Sequence, residues 1–412
     1  MKKLLIVTLS FLVLVSLFSC DPVGNEEEAT GEDKYLVNYT DYRLLSIFEI
    51  NLILGTLKNR YEEIATINSA AELSVWIYSI DYKTKFKGEE IIASGLVCVP
   101  IPVEGNEGPF PILSFQNGTN VLHSNAPSVN PDYELYLFLE SVAATGFILA
   151  VPDYLGFGAS EQMFHPYLDA ESTTQSVVDM LRATKELMAK WNLDVNYSED
   201  LYIAGYSQGG WATLQLQKAI ENDYSSEFNL KASACGAGPY NLLYLNSFIM
   251  GLETYPMPYF LGYMMNSYSK LGSVSTGLSE IFNDPYASRV SVMYDGTHDS
   301  EYLNSQLSTS VSELFTENYR NGYESSGSFA PVRTNLLANS VEAWDISTPL
   351  MLAHGKDDTF VPAQVSVNFY NDLIDLGVSE SKVKLDLVEG ADHQSGIIPI
   401  GISFVNWFLE IR

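Results

Sequence analysis

The stretch Leu201-Tyr-Ile-Ala-Gly-Tyr-Ser-Gln-Gly-Gly-Trp-Ala-Thr-Leu214 decides how the rest of the sequence is interpreted. Its first four residues form a short apolar run that is typical of a β-strand, and the residues from Trp211 onward suit a helix. Gly205 and Gly209 flank Ser207 in the turn between them, where larger side chains would crowd the backbone. The free N–H groups at the start of a helix favour negative charge. The stretch therefore predicts a strand-to-helix turn that presents Ser207 where an anion is stabilised.

The chain around this stretch alternates between short apolar strands and helical segments. Strands are predicted at residues 111–115, 146–151, 201–204, 232–237, 349–353 and 383–388. The clearest helix is predicted at residues 172–191, where apolar side chains recur on one face. Such alternation is typical of an α/β fold with a mostly parallel sheet covered by helices. Ligands bind these sheets outside the carboxyl ends of the strands, which is where Ser207 follows its strand.

Two regions depart from this alternation. Upstream, residues 42–65 predict a helix, and residues 75–82 and 90–99 predict an antiparallel hairpin. Between about 239 and 348 the strands lapse, which predicts a mainly helical cap insertion over the site. Its aromatic segments, such as Tyr255-Pro-Met-Pro-Tyr-Phe-Leu-Gly-Tyr263, suit an apolar pocket. The alternative is that these side chains form only the core of the cap itself.

Three motifs together resemble the secretory-lipase branch of the α/β-hydrolase superfamily. They are the segment Val151-Pro-Asp-Tyr-Leu-Gly-Phe-Gly158, the segment His165-Pro-Tyr167, and the turn Gly205-Tyr-Ser-Gln-Gly-Gly210. The Ser at the centre of G-x-S-x-G, between a strand and a helix, is the nucleophile elbow of these hydrolases. The resemblance spans roughly residues 75–412, with the cap matching least. It implies an α/β-hydrolase fold and hydrolysis of carboxylic esters through an acyl-enzyme, without a cofactor.

A serine nucleophile needs an imidazole base and a carboxylate that orients it. The chain order Ser, acid, His of α/β-hydrolases selects His393, which follows the last predicted strand, as the base. The G-x-x-D-x-x-V-P spacing selects Asp358 as the acid in preference to Asp357. Asp392, beside His393, ranks third. The remaining histidines are expected to have other roles, and His354 in particular to be a packed or hydrogen-bonded residue at a strand end; they are His123, His165, His298 and His354.

The oxyanion hole requires two N–H donors near the attacked carbonyl. The elbow supplies the backbone of Gln208, and the loop Gln116-Asn-Gly-Thr119 offers Gly118 or Thr119 as the second donor. This loop departs from the H-G-G-G sequence of many lipases, which leaves the preferred acyl length open. Asp153 and Tyr154 either line or brace the pocket, or form a purely structural turn.

The N-terminus predicts a bacterial lipoprotein of the cell envelope, anchored at the outer membrane or cell surface. Two lysines precede an apolar run that ends in Leu17-Phe-Ser-Cys20, so residues 1–19 are expected to be a signal peptide and Cys20 the lipidated residue. Residues 20–34 are predicted to form a flexible tether and residues 35–412 the catalytic domain. Membrane association is then expected through the lipid only; a retained transmembrane anchor is the alternative.

The amino-acid composition limits the kinds of molecule that the protein is expected to bind. The formal net charge of −29 argues against binding to nucleic acid or to anionic lipid. No Cys/His spacing indicates a metal site, and Cys98 and Cys235 are expected to be buried free thiols on separated strands. The expected substrate is a small-molecule ester or a lipid. A serine peptidase of the prolyl-oligopeptidase type and a non-catalytic surface-binding lipoprotein on the same fold are the alternatives.

Overall fold

The computed structural model describes residues 33–190 and 195–412. Within these residues one sheet contains nine strands in the order β1-β2-β3-β5-β4-β6-β7-β8-β9. The strands are β1 Leu36–Leu45, β2 Val75–Phe86, β3 Glu89–Pro100, β4 Phe110–Gln116, β5 Ile148–Pro152, β6 Tyr197–Tyr206, β7 Asn229–Gly236, β8 Leu350–Gly355 and β9 Val383–Val388. The pairs among β1, β2, β3 and β5 are antiparallel, and the pairs from β5 through β4 to β9 are parallel. The predicted hairpin and the predicted parallel sheet are confirmed.

The register of the parallel strands aligns their carboxyl ends at one edge. Gln116 of β4 pairs with Gly205 of β6, and Gly205 pairs in turn with Cys235 of β7. On the other side, Gly236 of β7 pairs with Ala353 of β8. The chain segments that leave β4, β6, β7 and β8 therefore meet at this edge, as expected for an α/β sheet that binds a ligand there.

Fifteen α-helices and four short 3-10 helices accompany the sheet in the described residues. The α-helices are α1 Ile47–Lys58, α2 Ala65–Ala70, α3 Glu134–Ala143, α4 Ala170–Lys190, α5 Gln208–Asp223, α6 Leu242–Met250, α7 Tyr259–Leu271, α8 Leu278–Ile281, α9 Tyr286–Val290, α10 Ser300–Ser305, α11 Val311–Leu314, α12 Glu317–Gly322, α13 Ala330–Ala338, α14 Gln364–Asp375 and α15 Ile397–Ile411. The 3-10 helices are Glu62–Ile64, His123–Asn125, Gly158–Ser160 and Gly327–Phe329.

The sheet is buried between two hydrophobic clusters. One cluster joins the sheet to α1, α2, α3 and α15, with Phe138 and Phe408 among its buried side chains. The other joins it to α4, α5, α14 and helices α6 to α13, with the fully buried Trp211 of α5 among its side chains. In chain order, helices α6 to α13 come after β7 and before β8, in the region where the sequence predicts a helical insertion. Its bounds as a separate cap, 239–348, stay a prediction.

The predicted helix at residues 42–65 is wrong in part. Strand β1 occupies Leu36–Leu45 and forms the edge of the sheet against β2. Helix α1 begins after Ser46, whose side chain accepts a hydrogen bond from the backbone N–H of Glu49, while the Glu49 carboxylate accepts one from the Ser46 N–H. This capping box stops the helix from extending further toward the N-terminus. The apolar residues before Ser46 are instead used in pairing with β2.

Both cysteines in the described residues are buried and unpaired. Cys98 lies on β3 and Cys235 on β7, and strands β5, β4 and β6 separate them in the sheet. The predicted signal peptide (1–19), Cys20 and most of the predicted tether (20–34) lie outside the described residues. Across residues 33–190 and 195–412, no helix is both long enough and apolar enough to cross a membrane.

The turn that carries Ser207 packs closely against β4 at Gly209, and a substitution at this glycine tests that packing. A Cβ added at Gly209 would lie 1.8 Å from the carbonyl oxygen of Gln116, which is backbone and has little freedom to move. We expect Gly209→Ala to lower the free energy of unfolding by about 2 kcal/mol or more, because overpacking forces backbone shifts. Denaturant unfolding monitored by circular dichroism measures this change.

Gly55 supplies the matched control, since it lies inside α1 and no atom approaches its Cβ position within 4 Å. Gly55→Ala is expected to raise the free energy of unfolding by about 0.5–1 kcal/mol, through the helix propensity of alanine. Equal stabilities for Gly209→Ala and the wild type would contradict the close approach of the elbow to β4.

Candidate active site

Ser207 is held at the strand-to-helix turn in a backbone conformation that few non-glycine residues adopt. Its φ is 59° and its ψ is −122°, and it separates the end of β6 from the first residue of α5. Its N–H donates a 2.8 Å hydrogen bond to the carbonyl oxygen of Gly236 at the end of β7. A Cβ at Gly205 would lie 2.3 Å from the Gly209 oxygen, and one at Gly210 would lie 2.4 Å from the Gly236 oxygen. Glycine at these positions lets the turn close tightly under Ser207.

A continuous row of hydrogen bonds connects the three residues that the sequence selects. The Oγ of Ser207 lies 2.9 Å from Nε2 of His393. The Nδ1 of His393 lies 2.6 Å from Oδ2 of Asp358. Asp358 follows β8 and His393 follows β9, so both reach Ser207 from the carboxyl edge of the sheet. The carboxylate accepts the Nδ1–H, and Nε2 is thereby left to accept the serine proton.

The carboxylate of Asp358 is buried yet held in its charged form. Its Oδ1 accepts hydrogen bonds from the backbone N–H groups of Phe360 and Val361, at 2.8 and 2.9 Å. Its Oδ2 is bonded to His393 and to His354, the latter at 3.1 Å. Burial raises the pKa of Asp358, but the hydrogen bonds from His354 and His393 outweigh it and lower the pKa to about 2. Asp358 is therefore ionised at any pH at which the protein is expected to work.

His354 contacts the site although the sequence predicts only a strand-end role for it. The residue is fully buried at the end of β8. Its Nε2 faces two oxygens, those of Asp358 and of the Val361 carbonyl at 2.9 Å, so Nε2 carries the proton. Its Nδ1 lies 2.7 Å from the hydroxyl of Ser366 in α14. His354 thus helps to hold the carboxylate by bonding the same oxygen, Oδ2, as His393 does, a contact that depends on the folded loop.

The other two candidate acids are exposed and have other partners. Asp357 is exposed, and its backbone N–H donates to the Ala391 carbonyl. Asp392 is also exposed, and its carboxylate accepts hydrogen bonds from the N–H groups of Gln394 and Ser395. The imidazole of His393 is hydrogen-bonded to Asp358 and Ser207 instead, so Asp357 and Asp392 do not orient it.

His123, upstream of Ser207, and His298, in the insertion, interact with residues outside the site. A ring nitrogen of His123 lies 3.9 Å from the carboxylate of Glu161. Nδ1 of His298 lies 3.0 Å from the carboxylate of Asp295. Neither side chain reaches Ser207, so His393 is the histidine that the structure brings to the serine.

The candidate oxyanion donors lie around Ser207. The N–H of Gln208 is the first of α5, and such N–H groups have no acceptor within their own helix. The loop after β4 passes beside the serine, since a Cβ at Gly118 would lie 3.9 Å from the Cβ of Ser207. Thr119 follows in the same loop, and its hydroxyl lies 2.8 Å from the hydroxyl of Tyr167. The start of α5 and the loop after β4 therefore both lie next to Ser207.

The segment His165-Pro-Tyr167 supports both of these loops, a role that its sequence did not reveal. Nδ1 of His165 lies 2.7 Å from the Leu155 carbonyl oxygen, so Nδ1 carries the proton and Nε2 accepts from the side-chain amide of Gln208 at 3.0 Å. Burial lowers the pKa of His165 to about 4, opposed by the hydrogen bond to Leu155. The ring is therefore neutral at ordinary pH. Two residues further on, the hydroxyl of Tyr167 is hydrogen-bonded to the hydroxyl of Thr119.

Asp153 and Tyr154 brace the site rather than line it. The Asp153 carboxylate is buried and accepts hydrogen bonds from the hydroxyls of Ser94 and Ser128. Tyr154 has a φ of 69°, and its hydroxyl donates to the Asn117 carbonyl oxygen at 3.1 Å. This contact fixes the loop that carries Gly118 and Thr119.

Two cavities open at Ser207. The larger, of about 320 Å³, contains Ser207, His393, Gly118 and Thr119 and continues between α3 and α15. The smaller, of about 30 Å³, lies under α6 and α7. Aromatic and sulfur-containing side chains of the insertion line these cavities: Tyr255, Met257, Tyr259, Phe260 and Met264. Others pack inside the insertion, such as Tyr263 stacked on Tyr294, so both uses that the sequence allows are present.

The residues that the structure describes contain no cluster of three or more His, Cys, Asp or Glu side chains suited to a metal ion.

This chain matches the model of a known protein family and is similar to several solved structures. The model of the secretory lipase family matches residues 122–398. A Legionella pneumophila protein assigned as a hydrolase is 28% identical, with a TM-score of 0.81, and the match covers 92% of this chain and 98% of that one. No curated protein matches the sequence.

Two further solved structures share the fold at lower identity. The rice cell wall degrading esterase LipA from Xanthomonas oryzae is 23% identical, with a TM-score of 0.77 and coverage of 93% of this chain and 100% of that one. Candida antarctica lipase A, in its closed state, is 14% identical, with a TM-score of 0.63 and coverage of 92% and 82%. The family match spans more than half of the sequence and includes Ser207, Asp358 and His393. This chain is therefore a member of the secretory lipase family, carboxylic ester hydrolases with the α/β-hydrolase fold.

Proposed function

We propose that this protein hydrolyses carboxylic esters through an acyl-enzyme formed on Ser207. The observation that carries the proposal is the row of hydrogen bonds from Ser207 to His393 to Asp358, with distances of 2.9 and 2.6 Å. A neutral imidazole that accepts from a serine hydroxyl and donates to a buried carboxylate is arranged for proton transfer from the serine.

In the first half of the reaction, Oγ of Ser207 attacks the ester carbonyl carbon and its proton moves to Nε2 of His393. Asp358 keeps Nδ1–H of His393 in place and stabilises the imidazolium, because its carboxylate stays ionised. The carbonyl oxygen becomes an oxyanion, which the N–H of Gln208 and a second N–H, from Gly118 or Thr119, stabilise. The imidazolium then gives its proton to the departing alcohol, and the acyl group remains on Ser207.

In the second half, water attacks the acyl carbon and gives its proton to Nε2 of His393. The same N–H groups stabilise the second oxyanion. When the tetrahedral intermediate collapses, the carboxylic acid leaves and Ser207 recovers its proton from the imidazolium. These steps require no cofactor, since every proton passes through His393.

The proposed substrates are small-molecule esters or lipids. The similar Xanthomonas oryzae protein is a rice cell wall degrading esterase, and the similar Candida antarctica protein is a lipase. Ester groups on plant polysaccharides and fatty acyl esters are therefore both candidate substrates. Most side chains that line the larger cavity at Ser207 are apolar, which favours fatty acyl esters.

We also propose that the enzyme acts outside the cytoplasm as a lipid-anchored protein of the envelope, and membership of a secretory family supports export. Removal of residues 1–19 would leave Cys20 as the lipidated first residue. Residues 20–34 would then form the tether to a catalytic domain at 35–412, with a helical cap at 239–348. The lipid would be the only membrane contact.

Ser207→Ala is expected to abolish ester hydrolysis, with a loss in kcat of about a million-fold, because no other hydroxyl occupies its place. A fluorophosphonate probe, which modifies activated serines, is expected to label the wild type and not this variant. The matched control is Ser226→Ala, in the exposed turn after α5, which should label and turn over as the wild type does. Labelling of Ser207→Ala at the wild-type rate would rule out Ser207 as the nucleophile.

Asp358→Asn is expected to lower kcat by about 10⁴-fold, since an amide cannot accept the Nδ1–H of His393 in the same way. Asp357→Asn changes the neighbouring side chain identically but lies outside the row of hydrogen bonds, so its kcat should stay near that of the wild type. Initial rates on a soluble ester distinguish the two. The opposite ranking of the variants would assign the acid to Asp357.

A further inference from the structure

Tyr206 occupies the position between Gly205 and Ser207, which the G-x-S-x-G motif leaves open. It is the last residue of β6, and its side chain is buried. Its hydroxyl donates a 2.7 Å hydrogen bond to the backbone carbonyl oxygen of His393, which lies 187 residues further along the chain. The residue directly before the nucleophile therefore contacts the backbone of the base.

Two glycines pack closely against the side chain of Tyr206. A Cβ added at Gly236, which pairs with Tyr206 across β6 and β7, would lie 2.6 Å from Cδ2 of the ring. A Cβ added at Gly396, just before α15, would lie 3.0 Å from the hydroxyl oxygen. Because the surrounding chain segments are this close, the ring has little freedom to change its rotamer. The hydroxyl is therefore held where it meets the loop that carries His393.

Hydrogen bonds attach the loop between β9 and α15, which carries His393, to two other segments of the site. The Asp357 N–H donates to the Ala391 carbonyl oxygen at 3.0 Å. This bond holds the loop to the segment after β8, which also carries Asp358. The bond from the Tyr206 hydroxyl lies at His393 itself and joins the loop to the end of β6. The base is thereby fixed relative to both the acid and the nucleophile.

Two aromatic rings pack near the imidazole of His393. The ring centroid of Tyr206 lies 5.3 Å from that of the imidazole, at an interplanar angle of 52°. The ring centroid of Phe360 lies 5.2 Å from it, at an angle of 39°. These separations are typical of contacts between aromatic rings. Together with the 2.6 Å hydrogen bond to Asp358, the two rings restrict the directions in which the imidazole can turn.

The position of the His393 backbone sets the distance over which the serine proton moves. Nε2 of His393 lies 2.9 Å from Oγ of Ser207, a distance suited to proton transfer. Because Tyr206 and Ser207 are adjacent in the chain, one short stretch of backbone holds both the nucleophile and the donor that binds the base. A displacement of the imidazole by about 1 Å would be enough to lower the rate about a hundredfold.

We propose that Tyr206 is a positioning residue for the reaction: its hydroxyl fixes the backbone of His393 and thereby holds the imidazole at hydrogen-bond distance from Ser207. This inference rests on the proposed function, since it assumes that His393 is the base for Ser207. Burial raises the pKa of the Tyr206 hydroxyl. The hydroxyl therefore keeps its proton, and remains a donor, at any pH at which the protein is expected to work.

Tyr206→Phe removes the hydroxyl and keeps the ring. We expect kcat for 4-nitrophenyl butyrate to fall about tenfold with KM unchanged, because the imidazole is misplaced while the apolar surface of the ring is retained. The matched control is Tyr294→Phe, which loses a buried 2.7 Å hydrogen bond to the Tyr259 carbonyl oxygen inside the insertion. Both variants are expected to lower the melting temperature by similar amounts, but Tyr294→Phe should keep the wild-type kcat. A folded Tyr206→Phe with the wild-type kcat would overturn the proposal.

A double-mutant cycle with His393→Ala distinguishes positioning of the base from general damage to the turn. A residue that acts through the imidazole has no further effect once the imidazole is absent. Tyr206→Phe is therefore expected to change the residual rate of His393→Ala by less than about twofold. A loss of about tenfold in both backgrounds would contradict the proposal, because the hydroxyl would then act independently of His393.

A second pair of variants tests the proposal even if Tyr206→Phe does not fold. Tyr206→4-fluorophenylalanine fills nearly the same space without a proton to donate, and the same loss in kcat is expected. Tyr206→4-aminophenylalanine restores an N–H donor on the ring and should return kcat to within about threefold of the wild type. Equal kcat values for these two variants would overturn the role of the hydroxyl.

Fluorophosphonate labelling of the wild type separates the positioning role from the proposed function. Labelled wild type, together with an unchanged kcat in the variants that lack the donor, contradicts the positioning role alone. Wild type that neither labels nor hydrolyses any ester contradicts the proposed function, and the role of Tyr206 with it.

Discussion

The close approach of three backbone segments around Ser207 is the constraint on which the rest of the site depends. The elbow contacts the end of β7 through Gly210 and contacts the loop after β4 through Gly209, and neither approach leaves room for a side chain. The Ser207 N–H bonds to Gly236, which fixes the turn in its unusual conformation. Because the segments are this close, the first N–H of α5 and the loop at Gly118 lie beside the same serine. Tight packing of glycine backbone thus gathers the nucleophile and its candidate oxyanion donors at one point.

The electrostatics of the site follow from a buried carboxylate with four donors. Two backbone N–H groups bond one oxygen of Asp358, and His354 and His393 bond the other. A buried carboxylate without such donors would take up a proton, and it would then provide no negative charge beside the imidazole. His354 also competes with His393 for the same oxygen, so the position of the carboxylate is determined from two sides. His393 is thereby oriented by the Asp358 carboxylate, which its other hydrogen bonds hold in place.

The sequence was sufficient for the features that local patterns encode. The G-x-S-x-G turn, the parallel strands and the order of Ser207, Asp358 and His393 were all predicted from short motifs and their sequence order. The edge strand β1 was not, because its apolar residues fit a helix equally well until β2 provides a partner. The capping box from Ser46 to Glu49 was a local signal for the true helix start. The support of Gln208 by His165 joins segments 43 residues apart, which no local pattern encodes. His354 lies only four residues before Asp358, but their hydrogen bond depends on how the chain turns after β8.

A crystal structure of the enzyme inactivated with an alkyl phosphonate ester tests the central claim most directly, because the phosphorus mimics the tetrahedral carbon of the reaction. The account predicts a covalent bond from phosphorus to Oγ of Ser207. It also predicts that the phosphoryl oxygen accepts hydrogen bonds from the N–H of Gln208 and from Gly118 or Thr119, with His393 within hydrogen-bond distance of the leaving-group position. Phosphorus bonded to any other residue, or a phosphoryl oxygen turned away from Gln208, would contradict it.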